Sequence, residues 1–96
     1  MTRLVWALAI VAGGVQAADV NHGAELYRQH CAACHGTGGR PALPGTPDLA
    51  RPGALLKPDV ALVAALRSGR GAMPAYGGLM KERELFDVVA HLRTFR

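Results

Sequence analysis

The chain has 96 residues, which is enough for one small domain and excludes a multidomain enzyme. Half of its residues are apolar, its two cysteines are too few for a disulfide-rich scaffold, and no apolar run reaches the roughly 18 residues of a membrane-spanning helix. The formal net charge is +4, but the basic residues are scattered along the chain. This distribution argues against a nucleic-acid partner.

Residues 1–17 have the pattern of a secretory signal peptide. A positive start at Arg3 precedes an apolar run from Leu4 to Ala12, and small residues follow. We expect cleavage between Ala17 and Ala18, which leaves a domain of residues 18–96 in the bacterial periplasm. The alternative is an uncleaved amphipathic or membrane-anchor helix, which the short apolar stretch disfavours. A domain this small has a thin core and needs a metal, a cofactor or a disulfide to stabilise it.

The sequence after residue 17 predicts an all-α architecture of three to five short helices. The first helix is expected over Asp19–Cys34, with Asn21 as its N-cap. From Gly36 to Lys57, glycine and proline allow no long regular element, and a loop of this length in a compact domain wraps or binds something. A second helix is predicted to begin at Pro58 and to close at Gly69, and the last helix is predicted over residues 81–96.

The segment Cys31-Ala32-Ala33-Cys34-His35 is the strongest functional motif in the chain. Two cysteines three positions apart place both sulfurs on one side of a helical turn. From there they reach the two vinyl groups of one haem and form thioethers with them. His35 follows directly, so its imidazole becomes an axial ligand of the iron. The motif therefore predicts covalent attachment of a haem, a large apolar group that completes the thin core.

Three other interpretations of this motif are weaker. A redox-active dithiol of this spacing usually follows a strand, and no strand is predicted before it. A zinc site would have to take all its ligands from His30, Cys31, Cys34 and His35, which lie too close in sequence to surround a metal tetrahedrally. A plain disulfide explains neither His35 nor the loop that follows.

On these residues the chain after the signal segment resembles a class I (monohaem) c-type cytochrome of the small bacterial type. The resemblance implies the cytochrome c fold, wrapped around one covalently bound haem c. The family carries a glycine and an aromatic residue one turn apart on its first helix, matched here by Gly23 and Tyr27. It also steadies its axial histidine with a proline carbonyl twelve residues later, which implies this role for Pro47. Leu49 would then pack against the haem.

The second axial ligand is expected to be Met73, in the sequence Gly71-Ala72-Met73-Pro74. This context resembles the family's loop in which the ligating methionine precedes a proline. Met80 is the less favoured methionine, because core packing explains it equally well. Ligation by His22, His30 or His91 is disfavoured because none of them lies in a loop placed to cross the haem. His91 instead stands where relatives carry an aromatic residue between the two terminal helices.

Two features depart from the family's pattern. No tryptophan remains after the signal segment to bond a haem propionate, and Arg40, Arg51 and Tyr76 are all open as replacements. Met80 and Lys81 stand where a small polar residue usually caps the last helix, so fraying is expected at its start.

The resemblance implies an electron carrier that cycles between ferric and ferrous iron and passes single electrons between respiratory redox partners, and not an enzyme. We expect a monomer that is at most peripheral to membrane complexes. Four basic residues near the Met73 loop either steer an acidic redox partner or form an ordinary solvated surface: Arg67, Arg70, Lys81 and Arg83.

Three alternatives to a free electron carrier are kept. The chain would be a haem-binding subunit of a larger oxidoreductase complex, a ligand-binding or peroxidatic haem protein with an open sixth site, or a small disulfide-bonded or metal-binding module without haem. An open sixth site requires Met73 to be off the iron.

Overall fold

The computed structural model describes residues 17–95, which form four α-helices joined by loops. The helices are α1 (Val20–His30), α2 (Ala32–His35), α3 (Asp59–Ser68) and α4 (Glu82–Leu92). Over these residues there is no strand, and no helix is long and apolar enough to cross a bilayer. The all-α prediction is confirmed. Most of the predicted signal peptide, residues 1–16, lies outside the described residues.

The first predicted helix is two helices, and its cap was assigned to the wrong residue. The Asp19 carboxylate, not Asn21, caps α1, because its Oδ1 accepts the backbone N–H groups of Asn21 at 3.1 Å and His22 at 3.0 Å. Cys31 has a φ of −119°, far from the helical value near −63°, and this turn separates α1 from α2. The prediction of one continuous helix over Asp19–Cys34 was therefore wrong.

The third and fourth helices agree with the predictions at their starts and differ at one end. Gly69 ends α3 as expected, with a φ of +73° that favours glycine. The last helix ends at Leu92, earlier than predicted, in a turn that the Thr94 hydroxyl closes by donating to the His91 carbonyl at 2.6 Å. At its start, the Glu84 carboxylate accepts the Lys81 N–H at 3.0 Å. This cap was missed when fraying was predicted.

The core lies between α1 and α4, which cross in close contact at Gly23. A Cβ atom on this residue would lie 1.8 Å from the Asp87 carbonyl oxygen, so only glycine allows the two backbones to approach this closely. Asp87 also accepts the Asp19 N–H at 2.7 Å across the same contact. Five large side chains of the core are almost completely buried: Tyr27, Val63, Leu85, Val88 and Val89.

Arg93 ties the long loop to the end of α4. Its guanidinium donates to the Asp59 carboxylate at 2.8 Å and to the backbone carbonyls of Lys57 and Leu55. These bonds fix the chain where the irregular segment 36–57 leads into α3. The loop predicted from its glycines and prolines is thus held at its far end by one side chain.

His91 lies in the contact between the terminal helices, as the resemblance implied. Its ring centroid lies 5.1 Å from that of Tyr27 and 5.1 Å from that of Phe95. Burial lowers the pKa of His91, because the apolar surroundings disfavour the imidazolium. Charging this ring is therefore opposed by the fold.

Replacing His91 with phenylalanine is expected to stabilise the protein, by roughly 1 kcal/mol at neutral pH, through an added aromatic contact. The stability that His91→Phe gains over the wild type is expected to increase as the pH falls. A folded-state pKa below the unfolded value of 6.5 means that wild-type stability is fully present above pH 6.5 and falls as the pH drops toward the lowered pKa. The measurement is the difference in unfolding free energy between wild type and His91→Phe from pH 8 to pH 5.

That difference isolates His91 from other titrating groups. His22 titrates in the opposite sense, because its hydrogen bond to Glu84 raises the pKa of His22 and makes its contribution fade as the pH rises. Both proteins share this contribution, so it cancels in the difference. A gap between the two proteins that stays constant with pH would contradict the assignment.

Candidate haem-binding site

The Cys-x-x-Cys-His segment begins at Cys31, the residue between α1 and α2, and continues through all of α2. Cys31 is buried and Cys34 is exposed, and the two are free thiols. Burial and then the neighbouring Cys34 thiol raise the pKa of Cys31 to about 11. The backbone N–H of His35 donates to the Cys31 carbonyl at 2.9 Å, which fixes the helical turn. The two cysteines and His35 therefore belong to one short turn of the chain.

His35 has the properties of a residue that needs a further partner. Its Nδ1 is buried and has no hydrogen bond of normal geometry. Burial lowers the pKa of His35, and the backbone carbonyl of Pro47 opposes that shift, so this carbonyl lies close to the ring. Iron on Nε2 would place the proton on Nδ1, beside the carbonyl that could accept it after a small adjustment. The residues present therefore fit a haem ligated by His35.

The loop after His35 folds back onto α2. The Cys34 carbonyl accepts the N–H groups of Ala42 at 2.9 Å and Leu43 at 3.2 Å. Further along, the Leu49 N–H donates to the Gly39 carbonyl at 2.9 Å. These bonds bring the segment that contains Pro47 back toward His35, although twelve residues separate the two in sequence.

Leu49 packs against the hydrophobic core and also borders a cavity of about 460 Å³. The cavity lies between residues 49–56 and the end of α4, with Leu92 and Phe95 on its far side. Of the six predicted site residues, only Leu49 contributes to its lining. This cavity is therefore separate from the turn that carries the cysteines and His35.

The loop between α3 and α4 presents Met73 from a fixed backbone. Met73 is partly buried, and it pairs with Arg70 through two backbone hydrogen bonds, of 2.8 and 3.1 Å. The positive φ of Gly69 folds this loop against the end of α3, and a Cβ there would lie 2.7 Å from the Met73 carbonyl oxygen. Met80, the other methionine, is buried in the core. Packing thus accounts for Met80 but leaves Met73 without an equivalent role.

The three histidines outside the motif have other contacts. The Nε2 of His22 lies 2.9 Å from the Glu84 carboxylate. The exposed His30 stacks edge-on against Tyr76, with ring centroids 6.0 Å apart, and His91 packs between the terminal helices. The position of His91 agrees with the place between the terminal helices that the resemblance implied.

Two tyrosine hydroxyls flank the motif, and sequence analysis missed the role of both. Tyr76 donates to the carbonyl of His30, directly before Cys31, at 3.0 Å. Tyr27 donates to the carbonyl of Gly36, directly after His35. Burial, and then the nearby thiols of Cys31 and Cys34, raise the pKa of Tyr76. The signal that could have found these bonds is a tyrosine at a core position, since a buried phenol needs a hydrogen-bond partner.

Comparison with known proteins identifies the family. The family model described as cytochrome c oxidase, cbb3-type, subunit III matches residues 18–92. Cytochrome c6 of Aphanizomenon flos-aquae is 34% identical over 79 residues, which cover 78% of this chain and 88% of that protein. The chain is a class I c-type cytochrome.

Two further comparisons agree with this assignment. Cytochrome c6 of Synechocystis is 37% identical over 78 residues, and the match covers 79% of this chain and 65% of that protein. The crystal structure of cytochrome c6 from the diatom Phaeodactylum tricornutum matches with a TM-score of 0.66 and 29% identity, over 77% of this chain and 90% of that one. The expected cytochrome c fold is thus confirmed.

Membership in the family has direct consequences for function. This cytochrome carries one covalently bound haem c, as predicted, and it is an electron carrier and not an enzyme. The haem-free disulfide or metal module is therefore ruled out. Among residues 17–95 no group of three or more His, Cys, Asp and Glu side chains is arranged to hold a metal ion, which the zinc interpretation required.

Proposed function

We propose that this protein is an exported, periplasmic electron carrier whose haem is attached through Cys31 and Cys34 and ligated by His35 and Met73. In this proposal residues 1–17 are a signal peptide removed before Ala18, and single electrons pass between respiratory redox partners. The buried, unpartnered Nδ1 of His35 beside the Pro47 carbonyl is the observation that supports it most directly. An imidazole without a partner in the fold is suited to ligation through its other nitrogen.

One-electron exchange between ferric and ferrous iron is the chemistry that the bound haem supplies. The protein's part is to hold both axial side chains through that exchange, so that little has to rearrange. His35 is fixed by the α2 turn and by the loop that returns at Pro47. Met73 is fixed by its backbone pairing with Arg70. A soft thioether favours ferrous iron, so a His/Met pair predicts a higher potential than a bis-histidine pair would.

An optical spectrum and an intact mass of protein matured in a bacterial periplasm test this proposal together. Sharp α and β bands on reduction are expected, with a sulfur-to-iron charge-transfer band in the oxidised form. The mass should equal that of a chain beginning at Ala18 plus one haem. Haem bands without the sulfur band would contradict ligation by Met73 and direct attention to an open sixth site, where carbon monoxide binding is the next test. A mass that retains residues 1–17 would contradict cleavage.

A second candidate function is that of a haem subunit in a larger oxidoreductase complex. It is favoured by the matching family model, whose description names a subunit of an oxidase. A free carrier would elute as a monomer from native periplasmic extract, whereas a subunit would elute together with partner chains. Size-exclusion chromatography followed by haem staining separates the two possibilities.

The proposed partners are proteins with an acidic docking surface. Arg70, Lys81 and Arg83 are exposed and form no ion pair among the described residues, whereas Arg67 is engaged by Glu82 at 2.5 Å. Three cations on and beside the Met73 loop would attract an acidic surface over about 8–10 Å at physiological salt. Arg67 contributes less to this attraction, because Glu82 offsets its charge.

A further inference from the structure

The Met73 loop, residues 69–80, is held by backbone hydrogen bonds to the last turn of the helix that precedes it, α3. The Tyr76 N–H donates to the Leu66 carbonyl at 2.8 Å, and the Gly77 N–H donates to the Arg67 carbonyl at 3.2 Å. These anchors all belong to α3. They hold the loop on α3, but they do not hold it over the proposed haem-attachment turn, Cys31–His35.

The helix α3 does not itself reach that turn. Within the described region the backbone of α3 comes close to that of α4, and the backbone of α1 comes close to those of α4 and α2, but no Cα atom of α3 lies within 8 Å of one in α1 or α2. The part of the fold that carries Met73 and the part that carries Cys31, Cys34 and His35 therefore meet through side chains of the shared core and not through close backbone contact.

One hydrogen bond joins the Met73 loop to the segment that carries Cys31, Cys34 and His35. Among the hydrogen bonds of residues 17–95, only that from the Tyr76 hydroxyl to the His30 carbonyl connects the Met73 loop to the segment of α1 and α2. Tyr76 is buried, and its ring lies edge-on to His30. Tyr76 stands three residues after Met73, and its hydroxyl bonds the carbonyl of the residue directly before Cys31, so it links the loop that carries Met73 to the segment that carries the cysteines.

We infer that Tyr76 is a positioning residue, whose hydroxyl latches the Met73 loop to the haem-attachment turn and thereby keeps Met73 on the iron. The inference rests on the ligation by Met73 proposed above. Without the hydroxyl, the loop keeps its anchors to α3 and the fold survives. The equilibrium between the closed loop and a loop swung away from the iron then shifts toward the open form, because the closed form has lost a hydrogen bond that water replaces only when the loop is open.

Imidazole measures the open fraction directly. It binds ferric iron only where the sulfur ligand has left, so its apparent dissociation constant varies inversely with the fraction of open protein. The experiment titrates oxidised, haem-loaded wild type and Tyr76→Phe with imidazole and follows the loss of the sulfur-to-iron band. An apparent affinity about tenfold tighter is expected for Tyr76→Phe, from the loss of one buried hydrogen bond.

Tyr27→Phe is the matched control. It also removes a buried phenol that donates to a backbone carbonyl beside the motif, but its bond to Gly36 does not involve the Met73 loop. We expect Tyr27→Phe to lower the thermal midpoint while leaving the imidazole affinity within twofold of wild type. Thermal unfolding of each variant, recorded on the same samples, verifies that it is folded.

Each outcome decides the matter. A tighter affinity in Tyr76→Phe alone supports the latch. Equal tightening in both variants means general loosening and overturns the inference, as does an unchanged affinity in Tyr76→Phe. In these two cases a normal sulfur band in the wild type leaves ligation by Met73 intact. A wild type without that band overturns both the ligation and the latch.

Discussion

Replacing Met73 with alanine is expected to abolish the sulfur-to-iron band of the oxidised protein and to lower its midpoint potential by more than about 0.1 V. The physical reason is the loss of a soft ligand that stabilises ferrous iron, and axial ligands tune haem potentials over a range of about 0.8 V. The reduced variant should also bind carbon monoxide, which the wild type should exclude. Potentiometric titration and a carbon monoxide difference spectrum measure the two effects.

Met80→Leu provides the control for this substitution. Met80 is buried in the core, and leucine has a similar volume, so the exchange should cost less than about 1.5 kcal/mol. We expect its spectrum and potential to match those of the wild type. If Met80→Leu lost the band and Met73→Ala kept it, the two methionines would have been assigned the wrong way round. If neither lost it, the sulfur signal would come from neither Met73 nor Met80.

The Cys-x-x-Cys-His motif, the proposed site of haem attachment, could be recognised from sequence because its residues are local. Cys31, Cys34 and His35 are brought together by one turn of backbone, so their spacing alone determines that they share a side. The helices around Leu85 and Val63 were predictable for a similar reason, since helical periodicity marks a buried face. Gly69 was predictable as a terminator because few other residues adopt its positive φ.

The parts that could not be predicted depend on contacts between distant residues. The hydroxyl of Tyr76 and the carbonyl of His30 are 46 positions apart, and nothing local to either indicates the other. Arg93 likewise reaches Asp59 across 34 positions. The choice between Asp19 and Asn21 as a cap was open for another reason, because both residue types cap helices well and only the path of the chain decides between them.

Gly23→Ala is the second substitution for which a large effect is expected, because it adds a single carbon at the closest point between α1 and α4. That Cβ would lie 1.8 Å from the Asp87 carbonyl oxygen and 2.4 Å from its carbon. Both neighbours are backbone atoms inside a helix, so no side-chain rotation relieves the clash. The helices must part by on the order of 1.5 Å to restore ordinary contact distances.

The separation would disturb everything packed across the crossing. Tyr27, Val88 and Val89 are nearly fully buried there, and the hydrogen bond from the Asp19 N–H to Asp87 spans the same contact. Alanine gains about 1 kcal/mol of helix propensity over glycine, which offsets only part of the loss. We expect a net destabilisation of about 3 kcal/mol, at the upper end of the usual cost of overpacking. Denaturant unfolding of the haem-loaded protein measures it.

Gly38→Ala is the matched substitution at a site with space. A Cβ on Gly38 would meet no atom within 4 Å, and its backbone has no positive φ. The same exchange of residue types should therefore change stability by no more than about 0.5 kcal/mol. Equal stability of the two variants would mean that the helices adjust freely at Gly23. In that case the close crossing of α1 and α4 would not be what fixes the two terminal helices relative to each other. It would then not fix the position of the Cys31–His35 turn that follows α1 either.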